Sequence, residues 1–143
     1  MTLPAYDEAN IFARILRGEL PCHKVYEDEV AFAFLDIMPR TKGHVLVLPK
    51  KPVRNILDID AETLGKLMAP VQKIAAAAKS ALVADGITIH QYNEPAGGQS
   101  VFHLHFHIMP RWYDIPLRPH AGEMEKPEVL QAIRDKILAA LRA

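Results

Sequence analysis

The alternation in Val101-Phe102-His103-Leu104-His105-Phe106-His107-Ile108-Met109 constrains this chain more than any other feature. Side chains two apart share a face of a β-strand, so the period of two predicts a strand over 101–109. One face carries His103, His105 and His107. The other carries Phe102, Leu104, Phe106 and Ile108, which can be buried against a core. Three aligned imidazoles need several polar partners, and stability alone gives no reason for their equal spacing. Gly97-Gly98-Gln99-Ser100 leads into the strand and offers backbone N–H groups and a hydroxyl, the parts of an anion nest.

The rest of the chain reads as a scaffold for that histidine face. At 143 residues, half of them hydrophobic, it is expected to be one domain with a sizeable core. Lys+Arg and Asp+Glu both count 17, so no general attraction to nucleic acid or an anionic membrane is expected, and any anion site must be local. The single cysteine, Cys22, excludes an intramolecular disulfide and fits a reducing compartment. The first residues do not read as a signal peptide, and no apolar run reaches the length of a membrane span, so a cytoplasmic protein is expected.

Residues 1–9 read as a loose arm. Ile11, Phe12, Ile15 and Leu16 fall at helical spacing before Gly18, predicting a short helix over about 10–17. Lys24–Glu27, Val30–Asp36 and Gly43–Pro49 read as three strands of an antiparallel meander, with Phe32 and Phe34 on one face and Ala33 and Leu35 on the other. Asp60 is a fair N-cap for a long helix over 61–84 whose stripe runs through Leu64, Leu67, Val71, Ile74 and Ala78. Pro70 should kink or split it. Gly86–Tyr92 is a fourth strand and 101–109 the fifth. Three prolines between 110 and 126 argue against regular structure there. Pro127 suits the first turn of a last helix with Leu130, Ile133, Ile137 and Leu141 on its stripe. The expected class is therefore α+β, a five-stranded antiparallel sheet with two main helices plus a C-terminal helix.

The residues alone leave two chemistries open. Neighbouring imidazoles can share a metal ion, but His103 and His107 lie about 13 Å apart at roughly 3.3 Å per residue, so one ion would take two of them and borrow from His44, His90 or a carboxylate. Alternatively, a neutral imidazole is a covalent nucleophile, and flanking histidines suit a phosphoryl target whose oxygens accept hydrogen bonds. His23, His90 and His120 read as ordinary hydrogen-bonded residues.

His103-Leu104-His105-Phe106-His107-Ile108-Met109 resembles the signature of the histidine triad superfamily. So do Asn10-Ile11-Phe12 through Pro21, Val25–Asp28, Ala33–Ile37, Gly43–Lys51 and Gly97–Phe102, in the family's usual order. The likeness spans about residues 10–111, between the arm at 1–9 and a C-terminal loop and helix at 112–143, and is closest to the Hint-like nucleotide phosphoramidases. It implies a homodimer with a continuous ten-stranded sheet, a purine nucleotide ligand and no cofactor. It implies hydrolysis or nucleotidyl transfer at the α-phosphorus of nucleoside 5′-phosphoramidates or related derivatives, through a nucleotidyl-histidine intermediate. Dinucleoside polyphosphate hydrolysis, or low-turnover regulatory binding, are the alternatives.

The same resemblance assigns residues. His105 is the nucleophile, His107 a phosphate contact, and His103 and His44 supports. Ser100 lies near the leaving group, with Asn93 and Gln99 on the phosphate side. Asp36 holds the ribose, and Ile11, Phe12, Ile15, Phe34 and Ile37 form the base pocket. Many bacterial relatives carry a Cys-x-x-Cys zinc pair where this chain has Asn10 and Ala13, so no metal is expected.

Overall fold

The computed structural model describes residues 2–143. Five strands form one antiparallel sheet: β1 (Lys24–Glu27), β2 (Ala31–Leu35), β3 (Val45–Pro49), β4 (Gly86–His90) and β5 (Phe106–Arg111). Their order across the sheet is β1-β2-β3-β5-β4, with every neighbouring pair antiparallel. Three α-helices complete the fold: α1 (Ile11–Leu16), α2 (Ala61–Ala81) and α3 (Pro127–Arg142). The expected α+β class and five-stranded sheet are what the chain adopts.

The two faces of the sheet have different coverings. Ala33, Leu35, Val45, Val47, Phe106 and Ile108 join Leu67, Val71 and Ile74 of α2 and Leu130, Ile133 and Ile137 of α3 in one buried cluster. Each large apolar side chain removed from water there contributes roughly 1.5–3 kcal/mol. On the opposite face, Phe32, Phe34, Leu46 and Leu48 pack with Phe12 of α1. The predicted alternation in β2 is thus observed, with the phenylalanines on one side and Ala33 and Leu35 on the other. Helix α1 spans six residues, so it covers only part of its face. The uncovered part is where the site lies.

Three expectations need correction. Helix α2 is not split at Pro70 but continues through it, because Leu67, Val71 and Ile74 anchor it on both sides of the missing N–H. Packing of an apolar stripe there outweighs one lost hydrogen bond. The arm is not loose throughout: Tyr6 docks on His103.

The fifth strand is the larger correction. Ladder pairing begins at Phe106, not Val101. The backbone at 101–105 finds partners elsewhere: Leu104 N–H donates to the Val53 carbonyl and the Gln99 amide donates to the Val101 carbonyl. The His103 ring takes the Pro49 carbonyl at the end of β3. Alternation still holds over 103–108, where Leu104, Phe106 and Ile108 enter the core cluster. Phe102 does not join them. It is half-buried, and the Arg54 guanidinium lies 4.1 Å from its ring centroid, a cation–π contact.

Candidate active site

The hydrogen bonds of the four central histidines fix where each proton resides. A backbone N–H can only donate and a carbonyl can only accept, so every such contact assigns a ring nitrogen. Arg40 N–H donates to His44 Nδ1 at 3.1 Å, which puts the His44 proton on Nε2. His44 Nε2–H then donates to His107 Nδ1 at 2.9 Å. The His107 proton is therefore on Nε2, a buried atom with no partner. Separately, His103 Nε2–H donates to the Pro49 carbonyl at 2.8 Å, and the Tyr6 hydroxyl donates to His103 Nδ1 at 2.6 Å. The His103 carbonyl in turn accepts His105 Nδ1–H at 2.6 Å. That bond leaves His105 Nε2 unprotonated, with its lone pair available.

Two free ring atoms of complementary character result. His105 Nε2 offers a lone pair; His107 Nε2–H offers a hydrogen-bond donor. Their ring centroids are 4.9 Å apart. Phe12 packs edge-on to His105 and Tyr92 edge-on to His107, holding both rings in place. Tyr92 is itself tied to His90 Nδ1 through its hydroxyl, at 2.7 Å. Gly43 sets up His44: its φ is +82°, and a Cβ there would collide with Leu82.

Burial keeps these imidazoles neutral. Desolvation pushes His103 down to about 4 and His44 to about 3, and His105 and His107 are depressed for the same first cause. Charge repulsion adds to this, from Arg40 and then His105 at His44, and from His105 and then His44 at His107. Desolvation also raises the Asp36 carboxyl, against which the Met38 N–H bond to Oδ1 acts.

The free atoms border a cavity of about 390 Å³. His105, His107, Ser100, Asp36, Ile11, Phe12, Ile15, Phe34 and Ile37 all line it, so nine of the residues singled out in the sequence meet at one place. Ile11 and Ile37 are 47% and 40% exposed, large apolar side chains offered to a ligand. His103 and His44 stand behind the cavity, wholly buried at 0% and 1% exposure.

Asn93 and Gln99 do not line it. Asn93 Oδ1 accepts from Ile56 N–H and the Gln91 amide. Gln99 is buried in a network with Asn55, Glu94 and the Arg54 carbonyl, beside an Arg54–Glu94 ion pair of 2.6 Å. The glycine loop is not an open nest either. The N–H groups of Gly97, Gly98 and Gln99 close a tight turn onto the carbonyls of Glu94 and Pro95. Gly98 is needed for that turn, with φ +98° and the Tyr92 ring close to where a Cβ would stand.

Sequence reading missed several members of the wall, among them Cys22, Met38, Arg40 and His120. His120 reaches the cavity from the C-terminal loop, where one histidine among prolines carries no periodic signal. Tyr6 was equally invisible, lying in an arm without pattern.

Asp36, His44 and His107 form the one group among the described residues whose ligand-type atoms lie within 4.8 Å of one another. Three of its four ring nitrogens are already engaged, since His44 and His107 bond to each other and Arg40 N–H holds His44 Nδ1, which leaves only His107 Nε2. At the zinc position of the resemblance, Asn10 Oδ1 caps α1 and Ala13 is buried, so neither supplies a ligand thiolate. The donor set does not fit that metal.

A sheet that presents a neutral imidazole lone pair beside an imidazole N–H, over a cavity with an apolar wall and a carboxylate, defines a histidine-centred site for an anionic ligand with an apolar part. The chain belongs to the histidine triad family: the HIT domain matches residues 17–113. It is 52% identical to a Hit-like protein from Bartonella henselae, described as involved in cell-cycle regulation and solved with an unknown ligand. That structure superimposes with a TM-score of 0.92 over 96% of this chain and 99% of the other. Protein hit of Bacillus subtilis is 40% identical over 92% of this chain and 93% of its own length. The adenylylsulfatase HINT3 of Arabidopsis thaliana is 33% identical over 81% of this chain and 62% of its own length. The superfamily is one of nucleotide-binding hydrolases and transferases.

Proposed function

We propose that the protein hydrolyses nucleoside 5′-phosphoramidates or related nucleoside monophosphate derivatives through a nucleotidyl-histidine intermediate. The observation that carries this reading is the His105 tautomer. The His103 carbonyl holds the proton on Nδ1, so Nε2 is poised to attack phosphorus without a separate base. The neighbouring His107 Nε2–H donates to a non-bridging phosphoryl oxygen as charge builds there. His44 positions His107, and His103 positions His105.

The apolar wall from Ile11, Phe12, Ile15, Phe34 and Ile37 takes a purine, and Asp36 takes the ribose hydroxyls. Ser100 faces the leaving group. Gln99 and Asn93 then act indirectly, by fixing the loop before the triad. In this reading the protein is a cytoplasmic homodimer with a ten-stranded sheet. In keeping with this, β4 is a sheet edge with Ile89 47% exposed, and no helix among the described residues is long and apolar enough to cross a membrane. The adenylylsulfatase relative favours adenylyl derivatives with anionic leaving groups as a second substrate class.

The decisive experiment compares wild type with His105→Asn on an adenosine phosphoramidate, a diadenosine polyphosphate and adenylyl sulfate. Wild type should release AMP from at least one and trap an acid-labile nucleotidyl adduct, and the variant should do neither. Equal release by the two proteins would sink the covalent reading.

A further inference from the structure

Resting on the nucleotidyl-transfer reading, we propose that His120, carried by the loop after the matched domain, is the general acid that protonates the leaving group. The loop is built onto the site rather than hanging free. Arg118 N–H donates to the Arg40 carbonyl at 2.7 Å, and Arg40 Nε–H donates back to the Arg118 carbonyl at 3.0 Å. Glu125 N–H donates to the Ile37 carbonyl at 2.8 Å, and an Arg118–Glu125 ion pair spans the loop. These bonds tie residues 118–125 to the segment that follows Asp36. They bring His120 into the cavity wall with Ser100, His105 and His107. His120 Nε2 lies 3.5 Å from Ser100 Oγ, and a positive charge on its ring would be felt at His105, His107, His44 and Asp36.

Chemistry requires such a group. A P–N bond breaks to release an amine only if the nitrogen receives a proton. The buried histidines are poor sources of one, since desolvation holds all four neutral. The free N–H of His107 can donate a hydrogen bond, yet a neutral imidazole does not give that proton away. His120 differs because it is exposed to water rather than desolvated.

In the first step His105 Nε2 bonds to the α-phosphorus as the bond to the leaving nitrogen or oxygen breaks. The leaving atom keeps the electron pair and takes the proton of the His120 imidazolium. In the second step neutral His120 takes a proton from water as the water oxygen bonds to phosphorus. The His105–phosphorus bond breaks, its electron pair returns to Nε2, and the nucleoside monophosphate leaves.

The test uses His120→Gln, which should fold because the site of substitution is an exposed loop. Two adenosine 5′-monophosphate derivatives serve as probes, an alkylamine phosphoramidate and a 4-nitrophenyl ester. The nitrophenolate can leave without a proton. Read as the single-turnover rate of leaving-group release, which reports the first step alone, loss of the general acid should cost the phosphoramidate about 10²–10³-fold. The loss for the nitrophenyl ester should be at least about tenfold smaller. Equal losses on both probes, or almost none on the phosphoramidate, would overturn the assignment of His120. Failure of wild type to form a His105 adduct with the nitrophenyl ester would overturn the nucleotidyl-transfer reading and this proposal together.

Discussion

His103 and His107 stand at equal distances in sequence from His105, and both are buried and neutral, yet their ring atoms are engaged differently. Every polar ring atom of His103 is consumed internally, by Tyr6 on one side and the Pro49 carbonyl on the other. His107 spends one nitrogen on His44 and keeps the other without a partner. A buried polar atom left unpaired costs about 1–3 kcal/mol, so its persistence points to a ligand that will pair it. Equal spacing therefore hides a division between a fully hydrogen-bonded imidazole and one that keeps an unpaired ring nitrogen.

The strongest way to break this comparison is to truncate each in turn. His107→Ala should lower kcat by about 10²–10³-fold, the usual cost of removing one donor at a developing oxyanion. His103→Ala keeps its backbone carbonyl and hence the His105 tautomer. It strips partners from the Tyr6 hydroxyl and the Pro49 carbonyl and opens a cavity, so it should lose roughly 2–4 kcal/mol of stability in urea titration. If His103→Ala proves the more damaging to turnover in protein that remains folded, the division is wrong.

Acid should expose the burial that the central histidines share. His103 and His44 titrate at about 4 and about 3 in the folded chain, against about 6.5 when unfolded. Their contribution is fully present above 6.5, where neither state is protonated. As pH falls below 6.5 the unfolded chain binds protons that the native chain refuses, so stability declines. The slope is about 1.4 kcal/mol per pH unit for each such histidine until its folded value is reached. Urea midpoints between pH 7.5 and pH 4.5 should fall accordingly, and His103→Ala should flatten the slope. A midpoint that does not move over this range would show that burial does not keep these rings neutral.

Parts of the fold and site were legible because they rest on side-chain period. Alternation placed Phe32 and Phe34 together on one face of β2 and Leu104, Phe106 and Ile108 in the core, even though ladder pairing starts only at Phe106. The wall formed by Ile11, Phe12 and Ile15 followed from helical spacing together with the family likeness. What could not be read depends on irregular backbone. The bonds that replace ladder pairing at 103–104 run from Leu104 N–H to the Val53 carbonyl and from the His103 ring to the Pro49 carbonyl, partners far away in sequence. For the same reason the loop at 97–99 looked like an anion nest until its N–H groups were found closing their own turn. His120 and Tyr6 arrive from segments with no period at all.

Tyr6 offers the smallest and sharpest test of the comparison. Its hydroxyl is the only contact among the described residues recorded for His103 Nδ1, at 2.6 Å, and its ring packs edge-on to the imidazole at 5.7 Å between centroids. Burial raises the phenol above its ordinary value, so it remains a donor through neutral and moderately basic pH. Tyr6→Phe keeps the ring contact and deletes the hydrogen bond, leaving a buried acceptor unpaired. The expected cost is about 1 kcal/mol of stability, with faster amide exchange over residues 2–9 as the arm loosens. Turnover should change by less than about threefold, because the His103 carbonyl still fixes His105 and the His44–His107 bond is untouched. A much larger fall in kcat with stability unchanged would mean that the ring of His103, and not only its backbone, takes part in positioning the nucleophile.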